Sequence, residues 1–260
     1  MVNVQVYNSL KKLFILLSTP FNRPNNELYF LYGHFVSAEH SDLNVAFELL
    51  KKLNKKVAFL DFEESCEIVK NDTRLRHPAV CFSFDDGFEE IVNGVCPMIK
   101  DFGANSCVFI NPGFIDGDEF EQHQMCEHQY HVKKNPASWK DLSKFVSSGG
   151  VVGSHTVDHI RLVGQDSTVL NYQIVESKRM IEAKLDIQCD YFAWPYGTAR
   201  DISDLGMQIA LENYKLVFSA IRSKKRSFIN ERVINRDHFE LGWKAREVEY
   251  FLSRRKLLTY

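Results

Sequence analysis

Three short stretches hold the residues able to do chemistry together. "SFDDGF" sets Asp85 and Asp86 side by side, directly after an apolar run over 79–84. "GSHTVDH" follows about seventy residues later with His155 and His159, spaced i, i+4. "FAWPYG" then brings Trp194, Pro195, Tyr196 and Gly197. Two imidazoles and a carboxylate form a three-ligand set for a divalent metal and leave one coordination position open to water. If a helical turn begins at 155, both imidazoles lie on one face of it. Zinc in such a site lowers the pKa of bound water to about 7, which supplies a hydroxide-like nucleophile at neutral pH. One acid of the pair can enter the metal's coordination, which relieves the repulsion between them, while the other accepts the water's proton. Gly87 permits a tight turn after them. Each stretch also has a plainer account, either an acidic turn capping the next helix or two surface histidines. The histidine spacing alone is weak evidence; its pairing with the two acids strengthens it.

The elements that position these stretches alternate. Strands are expected at 28–36, 79–84, 106–110, 151–155, 191–194, 216–220 and 232–235, with helices over 44–53, 65–70, 88–102, 138–149, 167–186, 201–213 and 244–257. Ser138 with Asp141 three residues on is a capping signature. Residues 114–137 read as a polar insertion with little periodicity; its His123, His128 and His131 fit a rim loop better than a second metal site. About seven strands interleaved with helices predict an α/β fold, either barrel-like or doubly wound. In both, ligands gather at the carboxyl ends of the strands, where all three stretches fall.

A chain of 260 residues with 45% hydrophobic and 25% charged composition is long enough for one large domain. Its net charge of −2 offers no global argument for nucleic acid, which is set aside as a partner. The six cysteines contain no C-x-x-C pair and read as buried thiols of a reducing compartment, so the expected setting is cytoplasmic. "SLKKLFILLSTPF" is too short to span a bilayer and reads as an amphipathic helix within an extension over 1–27. Peripheral membrane contact through that segment is the secondary reading. Residues 28–260 form the single remaining domain.

The three motifs, in this order and at this spacing, resemble those of the polysaccharide deacetylases, carbohydrate esterase family 4, which includes the nodulation-type chitooligosaccharide deacetylases. The likeness runs from about residue 79 to 235 and more loosely back to 28. It implies a distorted (β/α) barrel that hydrolyses acyl groups on sugars with a divalent metal, usually Zn2+, with Co2+ or Ni2+ as alternatives. By position, Asp85 resembles the catalytic base, Asp86, His155 and His159 the metal ligands, and the Tyr196 backbone N–H the oxyanion donor. "FAWPYG" resembles the "FAYPYG" branch associated with surface glycans, so the implied substrate is an acylated sugar or oligosaccharide, with a nucleotide- or lipid-linked form as a further option.

Two places depart from the family pattern. The arginine that orients the base in many members is replaced by Ala193, and Arg232, beside "RVIN", is the candidate to take over its role. The general acid is open between His34, which ends the first strand, and His238, which follows the last one; the strand-end position favours His34. Trp194 is a candidate sugar platform. The basic run Arg222, Lys224, Lys225 and Arg226 reads as a solvated face, with phosphate recognition as the alternative. The expected activity is removal of an N-acetyl group in surface-glycan or lipopolysaccharide synthesis. Deformylation, O-deacylation, another amidase reaction and a silent glycan-binding domain are the rivals.

Overall fold

The computed structural model of the chain describes residues 23–37, 42–130 and 132–254. The expected N-terminal helix over 9–21 and the tip of the closing helix beyond 254 lie outside the described residues, as does His131; of the rest of the expected extension, residues 23–25 are irregular and 26–27 bend into the first strand. Among the described residues ten strands build one sheet: β1 (Leu28–Gly33), β2 (Ala58–Phe59), β3 (Ala79–Phe84), β4 (Ser106–Ile110), β5 (Val151–Ser154), β6 (Tyr191–Ala193), β7 (Leu216–Phe218), β8 (Ser227–Phe228), β9 (Val233–Ile234) and β10 (Asp237–His238). Their order is β10-β1-β3-β4-β5-β6-β7-β9-β8, with β2 alongside the start of β3, and every pairing is parallel except β8 with β9. Only Asn235 and Arg236 separate β9, which pairs β7, from β10, which pairs β1. The same stretch of chain therefore joins both ends of the sheet, and the barrel closes there.

Period-two alternation sorts the strand residues into two cores. Leu28, Phe30, Cys81, Cys107, Phe109, Phe218 and Ile234 pack together inside the barrel. Tyr29, Leu31, Val80, Phe82, Val108 and Val217 belong to the layer between sheet and helices. Burial on both faces explains why β3 and β4 read as unbroken apolar runs. The helix Phe62–Lys70 plugs one end: the Phe62 ring meets those of Tyr191 and Phe218 at 5.1 and 5.3 Å.

Residues 114–137 are more ordered than their composition suggests. Pro112–Asp116 and Glu119–Met125 are helical, the latter closed by a capping box from Asp118 to Glu121. Local capping supplied there the signal that apolar periodicity lacked. The box expected at Ser138 and Asp141 is present. All six cysteines are buried and free.

Candidate active site

The inward-facing series Cys81, Ser83, Asp85 continues one residue past β3, since Asp85 N–H still donates to the Gly33 carbonyl at 2.9 Å. Asp85 consequently points into the barrel. Asp86 takes a left-handed φ of 71° and Gly87 one of 75°, which ends the alternation and turns the second carboxylate toward the mouth. A Cβ on Gly87 would lie 2.9 Å from Ile110 Cγ2, so this turn admits glycine alone. Adjacent acids thus reach different surroundings through one backbone reversal.

Inside the barrel Asp85 meets Arg236, which is fully buried. Nη1 and Nη2 donate to the two carboxylate oxygens at 2.7 and 2.9 Å, Nη1 also donates to Ser83 Oγ at 3.1 Å, and Nε donates to the Ser219 carbonyl at 2.9 Å. The guanidinium rests 5.0 Å from the centre of the Phe109 ring. Burial pushes Asp85 up, but the Arg236 charge and its hydrogen bonds outweigh that and hold it down to about 2.

Arg232 does not have this role. Its guanidinium donates to the Leu211, Tyr214 and Lys215 carbonyls at the end of the helix Asp204–Asn213, away from the acids. The arginine paired with Asp85 is Arg236, which sequence reasoning missed. It follows a two-residue strand and precedes another, so no apolar run marks it. The rule that chemistry sits just past strand ends, applied to "RVIN", would have pointed to it.

At the mouth, Asp86 Oδ1 is buried and has no hydrogen-bond partner among the described residues. It faces His159 Nε2 at 3.4 Å and His155 Nε2 at 3.7 Å. The three ligand atoms lie within 4.8 Å of one another. His155 N–H extends the β4–β5 ladder by donating to the Ile110 carbonyl, and its Nδ1 lies 2.7 Å from the Ala193 carbonyl. That contact makes Nδ1 the protonated nitrogen and leaves the Nε2 lone pair facing Asp86. Burial lowers His155 to about 4 and His159 well below its usual value, and it raises Asp86, with the Asp85 charge adding to the rise. A buried acceptor-only oxygen, two neutral imidazoles and mutual distances of this size fit a divalent cation.

No helical turn forms at 155–159, so the condition for a helical histidine pair is not met. Thr156 and His159 have left-handed φ of 68° and 53°, and a bend between them brings the two rings to 5.1 Å. Asn111 supports this bend: its Nδ2 donates to the His155 carbonyl and, at 3.1 Å, to that of Thr156. Nothing in its sequence context singled Asn111 out.

The third motif closes the opposite wall. Tyr196 has φ 63° and is 43% exposed, with its ring 5.2 Å from that of His159. The Arg161 guanidinium lies 3.9 Å over the Tyr196 ring and pairs with buried Asp201. Gly197 passes so close to Ala220 that a Cβ would sit 2.2 Å from the alanine Cβ. Trp194 is buried, with Nε1 donating to the Thr198 carbonyl at 3.0 Å. It forms the cavity floor rather than an open platform; Tyr196 presents the exposed aromatic face.

Both acids, both imidazoles, Trp194, Tyr196 and Gly197 line one cavity of about 370 Å3, together with His34, Tyr32 and Phe35. His34 is half-buried, and burial lowers its pKa. His238 stands behind it, ring centres 6.2 Å apart, packed against Tyr32 and Trp243 and not lining the cavity. Of the basic run, Arg222 pairs with buried Asp237 at 3.3 Å and Arg226 with Asp72 at 3.0 Å.

The sequence profile of the polysaccharide deacetylases matches residues 72–210, more than half the chain, and the chain belongs to that family. A Bacillus subtilis protein assigned as a polysaccharide deacetylase, YxkH, is 21% identical over 135 residues, which is 52% of this chain and 43% of the relative; the chain thus matches less than half of that relative's length. Among solved structures, IcaB from Ammonifex degensii superposes with a TM-score of 0.69 at 20% identity, covering 88% of this chain and 98% of that one. The Streptococcus pyogenes deacetylase PplD, solved with acetate, superposes at 0.68 with 18% identity, covering 86% and 97%. The fold is the distorted barrel that the motifs implied.

Proposed function

We propose that the chain is a metal-dependent hydrolase that removes an acyl group, N-acetyl foremost, from a sugar of a glycan or glycan precursor. One observation carries this reading: Asp86 Oδ1, buried and unpartnered, is faced by two imidazole Nε2 atoms beside a second, ionised carboxylate. Asp86, His155 and His159 would hold the metal, and the mixed oxygen and nitrogen set suits Zn2+, Co2+ or Ni2+. When bound, the ion would polarise the acyl carbonyl and acidify a water molecule.

Asp85 accepts the proton of the attacking water. The Arg236 fork keeps it charged and fixes its two oxygens, so the base does not rotate away. The Tyr196 backbone N–H, set by its left-handed φ, donates to the acyl oxygen as negative charge develops there. His34, which reaches the cavity where His238 does not, delivers a proton to the leaving nitrogen. The exposed Tyr196 ring offers a face for the sugar.

The family and the acetate-bound PplD structure support an acetylated glycan as substrate. The setting we infer is surface-polysaccharide synthesis; six free thiols fit a reducing compartment. No helix among the described residues is long and apolar enough to cross a membrane. The test is acetate release from N-acetylated oligosaccharides and nucleotide sugars, with formylated and O-acetylated analogues alongside. Release from an N-acetylated sugar that stops with chelator and returns with Zn2+ is expected. Binding of such sugars without turnover in metal-replete protein would overturn the enzymatic reading.

A further inference from the structure

The helical stretch over 167–185 is irregular in the middle. Ser167–Asn171 and Ser177–Leu185 are α-helical, whereas Tyr172–Glu176 between them widens into a π-turn. Such turns strain the helical ladder and recur at functional sites. This one carries Gln173, only 3% exposed, and its amide grips Asp158 twice. Nε2 donates to Asp158 Oδ2 at 2.6 Å, and Oε1 accepts from the Asp158 backbone N–H at 3.0 Å.

Asp158 lies in the bend between Thr156 and His159, the two left-handed positions that fold the imidazoles together. On its other side is Gly113, where a Cβ would fall 2.5 Å from Asp158 Oδ1 and 2.8 Å from the Val157 carbonyl oxygen. The Gly113 N–H also donates to that carbonyl at 3.0 Å. Asp158 is thus held between the π-turn and the start of the helix Pro112–Asp116, with no slack for the main chain.

We propose that Gln173 is a positioning residue for the metal centre: by gripping Asp158 at main chain and side chain, it fixes the bend that aims His159 Nε2 at Asp86. This rests on the reading of Asp86, His155 and His159 as metal ligands. Neighbours of this kind orient the ligands and typically alter metal affinity by about 10- to 100-fold when removed.

The test titrates the chelator-stripped full chain with Zn2+ against a chromophoric competitor and follows thermal unfolding of the stripped protein in parallel. Gln173→Glu keeps the length and the acceptor but sets a carboxylate against Asp158; Zn2+ affinity should fall about 10- to 100-fold. Asp158→Asn should stay near wild type, because its amide can rotate its oxygen toward Gln173. The exchanged pair Asp158→Asn/Gln173→Glu restores one donor and one acceptor with roles swapped, and should recover most of the lost affinity. That non-additivity marks a direct coupling. A clamp that serves stability alone would lower the melting temperature and leave the affinity of the folded protein unchanged. Unchanged affinity in Gln173→Glu, or an exchanged pair no better than Gln173→Glu, overturns the proposal while the metal site stands. If Gln173→Glu does not fold, the exchanged pair decides by itself: it must fold and bind Zn2+ near wild type. A wild-type chain that binds no Zn2+ overturns the metal reading and this inference together.

Discussion

The two halves of the barrel wall are made differently. β1, β3, β4 and β5 run four to six residues and bury nearly every side chain. β6 to β10 run only two or three residues, and polar side chains join them. Ser219 Oγ donates to Asn235 Oδ1 at 2.7 Å, Asn235 Nδ2 to the Lys225 carbonyl at 2.7 Å, and Arg236 Nε to the Ser219 carbonyl at 2.9 Å. The apolar half carries the acids on a platform that many contacts over-determine. The polar half brings the counter-charge and closes the barrel through a few hydrogen bonds, each of which matters individually. Damage should therefore be graded in the first half and abrupt in the second.

The largest effect is expected at Arg236. Arg236→Met leaves Asp85 buried beside an apolar chain, which should cost about 3–5 kcal/mol of unfolding free energy. Loss of the oriented base should lower kcat roughly 100-fold or more. Arg236→Lys should fall between, since an ammonium supplies charge without the two-pronged fit. Denaturant unfolding and turnover measured on the same preparations check both. The pair also predicts an acid limb. Asp85 stands at about 2 in the folded chain against 3.8 as its ordinary value. Its stabilisation is fully present above 3.8 and is lost as pH falls through 2. Stability of Arg236→Met should lack that contribution, seen as a flatter profile between about pH 4 and 2.

Asn111→Ala comes next. It removes the donor from the buried His155 and Thr156 carbonyls and should cost about 1–3 kcal/mol, with weaker Zn2+ binding measured by titration. The smallest effect is expected in the apolar half. Cys81→Ala, one inward position below Ser83, should cost about 1 kcal/mol and leave kcat of the folded fraction unchanged. A drop in kcat there as large as that of Arg236→Met would erase the distinction between the halves.

That distinction also sets what the sequence made legible. Apolar runs announced β1, β3 and β4, and the shorter "VVGSH" strand end announced β5; with them came the places of Asp85, Asp86 and His155. β2, β8 and β10 have two residues each, too few for any period to register, and β10 is Asp237–His238. Arg236 vanished with them, and Arg232 took its place in the expectation. The i, i+4 spacing of the imidazoles would bring them together on a helix. Left-handed Thr156 and His159 reach the same convergence by a bend, which residue spacing does not encode. Asn111 and Gln173 act through carbonyls and another side chain about forty-five and fifteen positions away, contacts that only the folded chain brings together.

In the function proposed, the adjacent acids divide the work, Asp86 for the metal and Asp85 for the proton. Calorimetric Zn2+ titration of the chelator-stripped chain, paired with acetate release, tests it most directly on wild type, Asp86→Ala and Asp85→Asn. Wild type should bind one tight equivalent, Asp86→Ala should lose that equivalent and turnover, and Asp85→Asn should retain the metal and lose turnover. Full-affinity Zn2+ binding by Asp86→Ala, or undiminished turnover in Asp85→Asn, would contradict this division of work.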